Sequence, residues 1–77
     1  MNMKTRVDVV CIHFKDGHIK PLEIVWEDGR RFAIDQILNI MPAASMKSGG
    51  VGMRYTCVIH SHKRYLFLEE NHRWFVE

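Results

Sequence analysis

Apolar and polar residues alternate in short runs along most of the chain, and polar turn residues separate the runs. The pairs Asp16-Gly17 and Asp28-Gly29 each stand between two apolar runs. An Asp-Gly pair in that position is typical of the loop of a β-hairpin. The pattern therefore predicts strands joined by tight hairpin turns over the first half of the chain.

The register of the flanking strands decides the length of the second hairpin loop. A three-residue loop over 27–29 pairs Ile24 with Phe32 and Leu22 with Ile34, so the apolar residues share one face. A loop one residue shorter would turn the second strand over and divide them between two faces. The longer loop is predicted, because glycine at its third position adopts the left-handed backbone at little cost.

The same loop in the first hairpin pairs Ile12 with Lys20 and Val10 with Leu22. Together the two hairpins predict one core face, made by Val10, Ile12, Leu22, Ile24, Trp26, Phe32 and Ile34. Proline has no N–H to donate to a neighbouring strand. Pro21 therefore predicts that the second strand begins at an edge or at a bulge.

The middle of the chain allows two structures. Residues 35–41 fit a continuation of the third strand, and they also fit a single helical turn with Ile37, Leu38 and Met41 on one side. The segment 43–52 is rich in glycine and serine and predicts a flexible loop.

Strand alternation resumes at Met53. A turn near 61–63 would place Leu66 opposite Ile59 and Leu68 opposite Cys57. A last turn near 70–72 leads to a closing strand over 74–76. Residues 1–77 are thus predicted to form a single all-β domain, a small antiparallel meander or partly open barrel of five to six strands, because closure hides the edges of a small sheet.

The composition indicates the class of protein and its cellular compartment. Apolar residues make up 47% of the chain, enough for one compact core, and two cysteines cannot provide the disulfide framework of a small secreted fold. The apolar runs are too short for a signal peptide or a membrane span. We expect a soluble cytoplasmic protein with no membrane partner.

No motif in the sequence indicates catalysis or a bound cofactor. The alternation predicts that Cys57 is a small buried apolar residue, and Lys47 precedes the glycines at 49–52, whereas a phosphate-binding loop has its lysine after them. His60 and His62 have a chelating spacing if extended and diverge if they flank a turn. Cys11 and His13 have the same spacing. Metal binding is therefore a third hypothesis, and we assign no metal site.

The distribution of charge suggests a binding surface. The net charge is only +2, but no Asp or Glu occurs between Asp35 and Glu69. Cations in that stretch alternate with aromatic residues, a combination that binds single-stranded nucleic acid by contacting phosphates and stacking on bases. The candidate nucleic-acid site comprises Lys47, Arg54, Lys63, Arg64 and Tyr65, and the predicted binding is weak and salt-sensitive.

The alternative is a protein-interaction or homodimerisation module. Tyr65 and Phe67 alternate away from Leu66 and Leu68 and are therefore predicted to lie outside the core. Exposed apolar clusters usually mark a partner surface. The outer apolar residues predicted for such a surface are Val9, Val25, Tyr65 and Phe67.

Three segments give the chain a resemblance to a known group. They are W-x-D-G-R-x-F at 26–32, G-G-x-G-x-R-Y-T-C at 49–57 and W-F-V-E at 74–77. In these segments the chain resembles a group of small uncharacterised bacterial proteins of about this length, and the likeness covers residues 7–77. Similar proteins lie near genes for damage-tolerance DNA polymerases, so the resemblance implies an accessory role in DNA transactions. It assigns no site residues.

Overall fold

The computed structural model describes residues 4–44 and 51–77, which form strands and turns without a helix. The strands are β1 (Thr5–His13), β2 (Ile19–Val25), β3 (Arg31–Ala33), β4 (Gln36–Ala44), β5 (Val51–Ile59), β6 (His62–Leu68) and β7 (Trp74–Val76). Within this described part of the chain, no helix is long and apolar enough to cross a membrane.

All seven strands belong to one antiparallel sheet with the order β3-β2-β1-β7-β6-β5-β4. Two meanders, β1–β3 and β4–β7, are joined where β7 pairs with β1, with Trp74 opposite Val7. The predicted all-β antiparallel fold is confirmed. The predicted count of five to six strands is too low by at least one, because β3 and β4 are separate strands at opposite edges of the sheet.

The sheet curls into a half-barrel because only Ile34 and Asp35 separate its two edge strands. The N–H of Ile34 donates to the Leu22 carbonyl of β2, and the N–H of Asp35 donates to the Val58 carbonyl of β5, each at 2.9 Å. The chain therefore passes from one edge of the sheet to the other within two residues. Residues 36–44 form a strand, which decides against the helical turn.

The predicted three-residue hairpin loops are present at 15–17 and 27–29. Ile24 pairs with Phe32, and the N–H of Ile34 reaches Leu22 as the register required. Gly17 and Gly29 have φ angles of 98° and 89°, in the left-handed region that only glycine adopts cheaply.

A third loop of the same kind joins β6 to β7. The side chains of Asp16, Asp28 and Asn71 each accept a hydrogen bond from the backbone N–H two residues later. His72 then occupies the position that glycine occupies in the other two loops, with a φ of 64°. The predicted turn near 70–72 is confirmed, with a non-glycine residue at its left-handed position.

A bulge in β2 reverses the predicted orientation of β1 relative to the core. Ile12 pairs with Lys20 as predicted, but Val10 faces Glu23 rather than Leu22, because the register shifts between Val10 and Cys11 next to Pro21. Val10 and Ile12 are consequently 40% and 41% exposed, so their assignment to the core is wrong. The other face of β1 packs against the core through Val7, Val9 and Cys11.

The turn between β5 and β6 is shorter than predicted. It is centred on His60 and Ser61, with φ angles of 50° and 64°, rather than on 61–63. Leu66 therefore lies opposite Tyr55, four positions along β5 from the predicted partner. Since four is even, Leu66 still faces the core.

The predicted loop over 43–52 is shorter at both ends in the structure. β4 continues to Ala44 and β5 begins at Val51, with Ala43 paired to Gly52. Residues 45–50 lie outside the described residues.

The core lies inside the curl and draws on both meanders. Its buried residues are Val7, Ile24, Tyr55, Cys57, Leu66, Trp74 and Val76. The predicted burial of Ile24 is confirmed, and Trp26 and Ile34, also predicted for the core, pack against this cluster while remaining partly exposed.

Candidate nucleic-acid interface

The outer face of the sheet carries a continuous row of side chains across five strands. Successive members are directly opposite one another in the sheet and alternate away from the core. We call this set the outer row: Met41, Arg54, Phe67, Phe75 and Arg6.

The centre of the outer row is aromatic and tightly packed. The rings of Phe67 and Phe75 stack with centroids 4.7 Å apart and an interplanar angle of 4°. The Arg6 guanidinium lies 5.8 Å from the Phe75 centroid and also pairs with the carboxylate of Glu69. Phe75 is fully covered, so this end of the row is a closed structural unit whose cation is neutralised.

Arg54 is held differently. Its guanidinium carbon lies 5.2 Å from the Tyr65 ring centroid, and Nη2 contacts the Met41 sulfur at 2.8 Å. Among the described residues, no carboxylate forms an ion pair with Arg54, and its buried Nε has no hydrogen-bond partner. An aromatic ring and a thioether thus position this charge without neutralising it.

The structure divides the five residues of the predicted site. Arg54 and Tyr65 are in contact, and Lys63 lies on the same outer face, two positions before Tyr65 on β6. Arg64 pairs with Cys57 of the core and faces the interior of the curl. Lys47 lies outside the described residues.

The aromatic surface includes a residue that the candidate site omitted. Phe75 follows the core residue Trp74 and precedes the core residue Val76, so alternation alone places it on the outer face. Its position beside Phe67 depends on the pairing of β6 with β7. The sequence predicted a short turn between these two strands, but it did not predict the register that places Phe75 beside Phe67.

The residues predicted for a protein-interaction surface do not form one exposed patch. Val9 packs against the core, so its assignment to the outer surface is wrong. Val25, Tyr65 and Phe67 are half-buried rather than exposed. The large apolar residues that β1 and its following turn expose are instead Val10, Ile12 and Phe14, the last of them 46% exposed.

The thiols are in settings that oppose ionisation. Burial raises the pKa of Cys57 to about 11, and burial also raises the pKa of Cys11. The Cys11 sulfur lies 3.9 Å from Nε2 of His13. Within residues 4–44 and 51–77, no group of three or more His, Cys, Asp or Glu side chains is arranged to hold a metal ion.

Comparison of the chain with family models, curated proteins and solved structures gave no match.

Proposed function

We propose that this protein is a non-catalytic module that binds single-stranded nucleic acid weakly through the outer face of β5 and β6. Arg54 and Lys63 contact phosphates, and Tyr65 stacks on a base. The observation that carries the proposal is the contact between Arg54 and Tyr65, in which the cation has an aromatic partner and no acidic partner among the described residues.

The chemistry of the surface favours a phosphate backbone as the ligand. An arginine that is not already paired to a carboxylate keeps its donors for a bidentate contact with phosphate oxygens. The half-buried Tyr65 lies beside that guanidinium, and base–aromatic stacking does not depend on base identity. The module would therefore bind without strong sequence preference, which is compatible with the accessory role in DNA transactions that the resemblance implies.

An amide-resolved NMR titration with a short single-stranded DNA oligonucleotide tests the proposal. With two phosphate contacts, raising the salt concentration fourfold is expected to weaken binding about sevenfold, since each contact with a single strand contributes about 0.7 to the logarithmic salt slope. The shifts are expected at residues 52–56 and 63–67. Binding that does not change with salt would contradict the proposal.

Two variants separate the charge from the ring. Arg54→Gln removes one phosphate contact and should reduce the salt slope by about 0.7. Tyr65→Leu keeps apolar volume but removes stacking, which should weaken binding about tenfold. Arg31→Gln is the charge-matched control, because Arg31 pairs with Glu23 on the other meander. Equal effects of Arg31→Gln and Arg54→Gln on oligonucleotide affinity would show that binding depends on the net charge of the protein and not on a site at Arg54.

Self-association is the second candidate function. It is favoured by the exposed apolar side chains of Val10, Ile12 and Phe14 at one end of β1. A two-fold axis would bring this patch onto the same residues of a second copy. Sedimentation over a range of concentrations should then reveal a dimer that Ile12→Lys abolishes, and a monomer at every concentration would remove this candidate.

A further inference from the structure

A separate cavity lies at one mouth of the half-barrel, between the β2–β3 and β5–β6 hairpins. Its volume is about 250 Å³, and its apolar lining includes Ile24, Ile59 and Val76. Ile24 and Val76 are both 2% exposed and belong to the core. The mouth of a β-barrel is a common place for small-molecule sites, because the sheet supplies a rigid apolar floor.

Three rings line the wall of this cavity. Trp26 and Phe32 meet edge to face with centroids 6.5 Å apart, and Phe32 meets His60 in the same manner at 5.7 Å. Rings that are already in contact restrain one another. They can therefore provide an aromatic surface for a planar ligand at little cost in side-chain entropy.

The polar lining of the cavity is basic. It consists of Arg30, Arg64, His60 and His62, and no Asp or Glu side chain is among the lining residues. Nε of Arg30 donates to Asp28, and Nε of Arg64 donates to the main-chain oxygen of Glu77 at 3.4 Å. Arg30 thereby forms an ion pair with Asp28, and its guanidinium carbon also lies 5.5 Å from the centroid of the Phe32 ring. Both hydrogen bonds use Nε, so the terminal amino groups of the two guanidinium ions remain available to a ligand.

The β5–β6 turn holds His60 in place against a conformational cost. His60 and Ser61 both have left-handed φ angles, which non-glycine residues rarely adopt. The Asp35 carboxylate accepts a hydrogen bond from the His60 backbone N–H at 3.1 Å and fixes the turn to the link that closes the sheet. Strained backbone of this kind is concentrated at binding sites.

We propose that this mouth binds a small aromatic anion. The planar ring of the ligand lies among Trp26, Phe32 and His60, and its carboxylate or phosphate group accepts hydrogen bonds from Arg30 and Arg64. The site is independent of the nucleic-acid surface, because Arg64 and Tyr65 are consecutive on β6 and face opposite sides of the sheet.

A ligand series tests whether ring and charge act together. Phenyl phosphate and benzoate carry both features, inorganic phosphate carries only the charge, and benzyl alcohol carries only the ring. Titrations followed by NMR should give the better of the two aromatic anions a Kd at least about tenfold below those of both single-feature compounds. A comparison of phenyl phosphate with benzoate identifies the anionic group. No saturable shift of the Trp26 indole with either anion up to about 10 mM would overturn the proposal.

Variants then assign the contacts. Arg64→Gln and Arg30→Gln should each raise the Kd of the better aromatic anion at least about fivefold, and Arg31→Gln should leave it unchanged. Arg30 and Arg31 are neighbours with exposed side chains, so this pair controls for charge and for folding together. An unchanged Kd in both Arg64→Gln and Arg30→Gln would overturn the proposal. The oligonucleotide titration of Arg64→Gln should match the wild type, which keeps the two sites experimentally distinct.

Discussion

Arg6 donates a side-chain hydrogen bond to Glu69, 63 residues further along the chain. The Glu69 side chain is 1% exposed and that of Arg6 is 33% exposed. The pair connects the outer face of β1 to the residue that follows β6. It therefore stabilises the junction between the two meanders, where β7 lies between β1 and β6.

We expect Arg6→Met to lower the free energy of unfolding by about 2 kcal/mol, because it leaves a buried carboxylate without this cation. In the background of Glu69→Gln the same substitution should cost less, with a coupling free energy of at least about 1 kcal/mol in a double-mutant cycle. Urea unfolding of the wild type, the two single variants and the double variant measures this coupling free energy. The exposed pair of Arg31 and Glu23 provides the control cycle, with an expected coupling below about 1 kcal/mol.

Gly52 is required by a close approach of two strands. A Cβ atom on Gly52 would lie 2.3 Å from the carbonyl oxygen of Leu68, so Gly52→Ala forces the backbone of β5 or β6 to move. The expected loss is about 2–3 kcal/mol in urea unfolding. Gly17→Ala is the matched control: open space surrounds Gly17, and its positive φ alone should cost about 1–2 kcal/mol. A Gly52→Ala protein as stable as the wild type would contradict this packing.

The buried thiol of Cys57 predicts a loss of stability at alkaline pH. Burial raises its pKa to about 11 from an ordinary value of 9.0, so between these pH values the folded state holds a proton that the unfolded state has released. Stability conferred by the protonated thiol is complete below pH 9 and is lost as the pH rises, by about 2–3 kcal/mol at pH 11. Cys57→Ala lacks this dependence, so its stability should approach that of the wild type as the pH rises. If the free energies of unfolding of the wild type and Cys57→Ala changed in parallel with pH, the contribution of the buried thiol would be excluded.

His72 occupies a left-handed position that glycine occupies in the two equivalent loops. His72→Gly should therefore stabilise the protein by about 0.5–1 kcal/mol, through relief of the backbone at this position. The corresponding rise in Tm is about 2–8 °C for a domain of this size. His72→Ala removes the imidazole without relieving φ and should give no rise. Equal Tm values for the two variants would show that loss of the imidazole, and not relief of the backbone conformation at residue 72, causes the change in Tm.

Local chemistry was sufficient to predict the hairpin loops. An Asp-Gly pair gives a side-chain acceptor for the loop and a residue that tolerates positive φ, and both properties are present at 15–17 and 27–29. The register of β2 with β3 followed because only one loop length kept Ile24 and Phe32 on one face. Pro21 indicated a bulge in β2, but not that Leu22 would be its extra residue, between the pairs Cys11–Pro21 and Val10–Glu23.

The candidate site was predictable only in part. Alternation within β6 placed Lys63 and Tyr65 on one face and Arg64 on the other, although the combination of cations with aromatic residues had grouped all three. The contact of Arg54 with Tyr65 required the β5–β6 register, and the shorter turn at His60 and Ser61 changed that register. Neither turn residue is glycine, asparagine or aspartate, the usual residues of a two-residue hairpin turn, so the sequence carried only a weak signal for it.

The sequence by itself determined that this chain forms antiparallel strands with two glycine-dependent loops, because those features depend on residues close together along the chain. Only the tertiary structure decided which side of β1 is buried, since the one-residue bulge at Leu22 of β2 reverses the side chains of β2 beyond it and so changes which residues of β1 share a face with Ile24. It also decided that β7 pairs with β1 and that Ile34 and Asp35 close the curl. These contacts join distant segments, and their free energy depends on the packing of the whole sheet rather than on any local pattern.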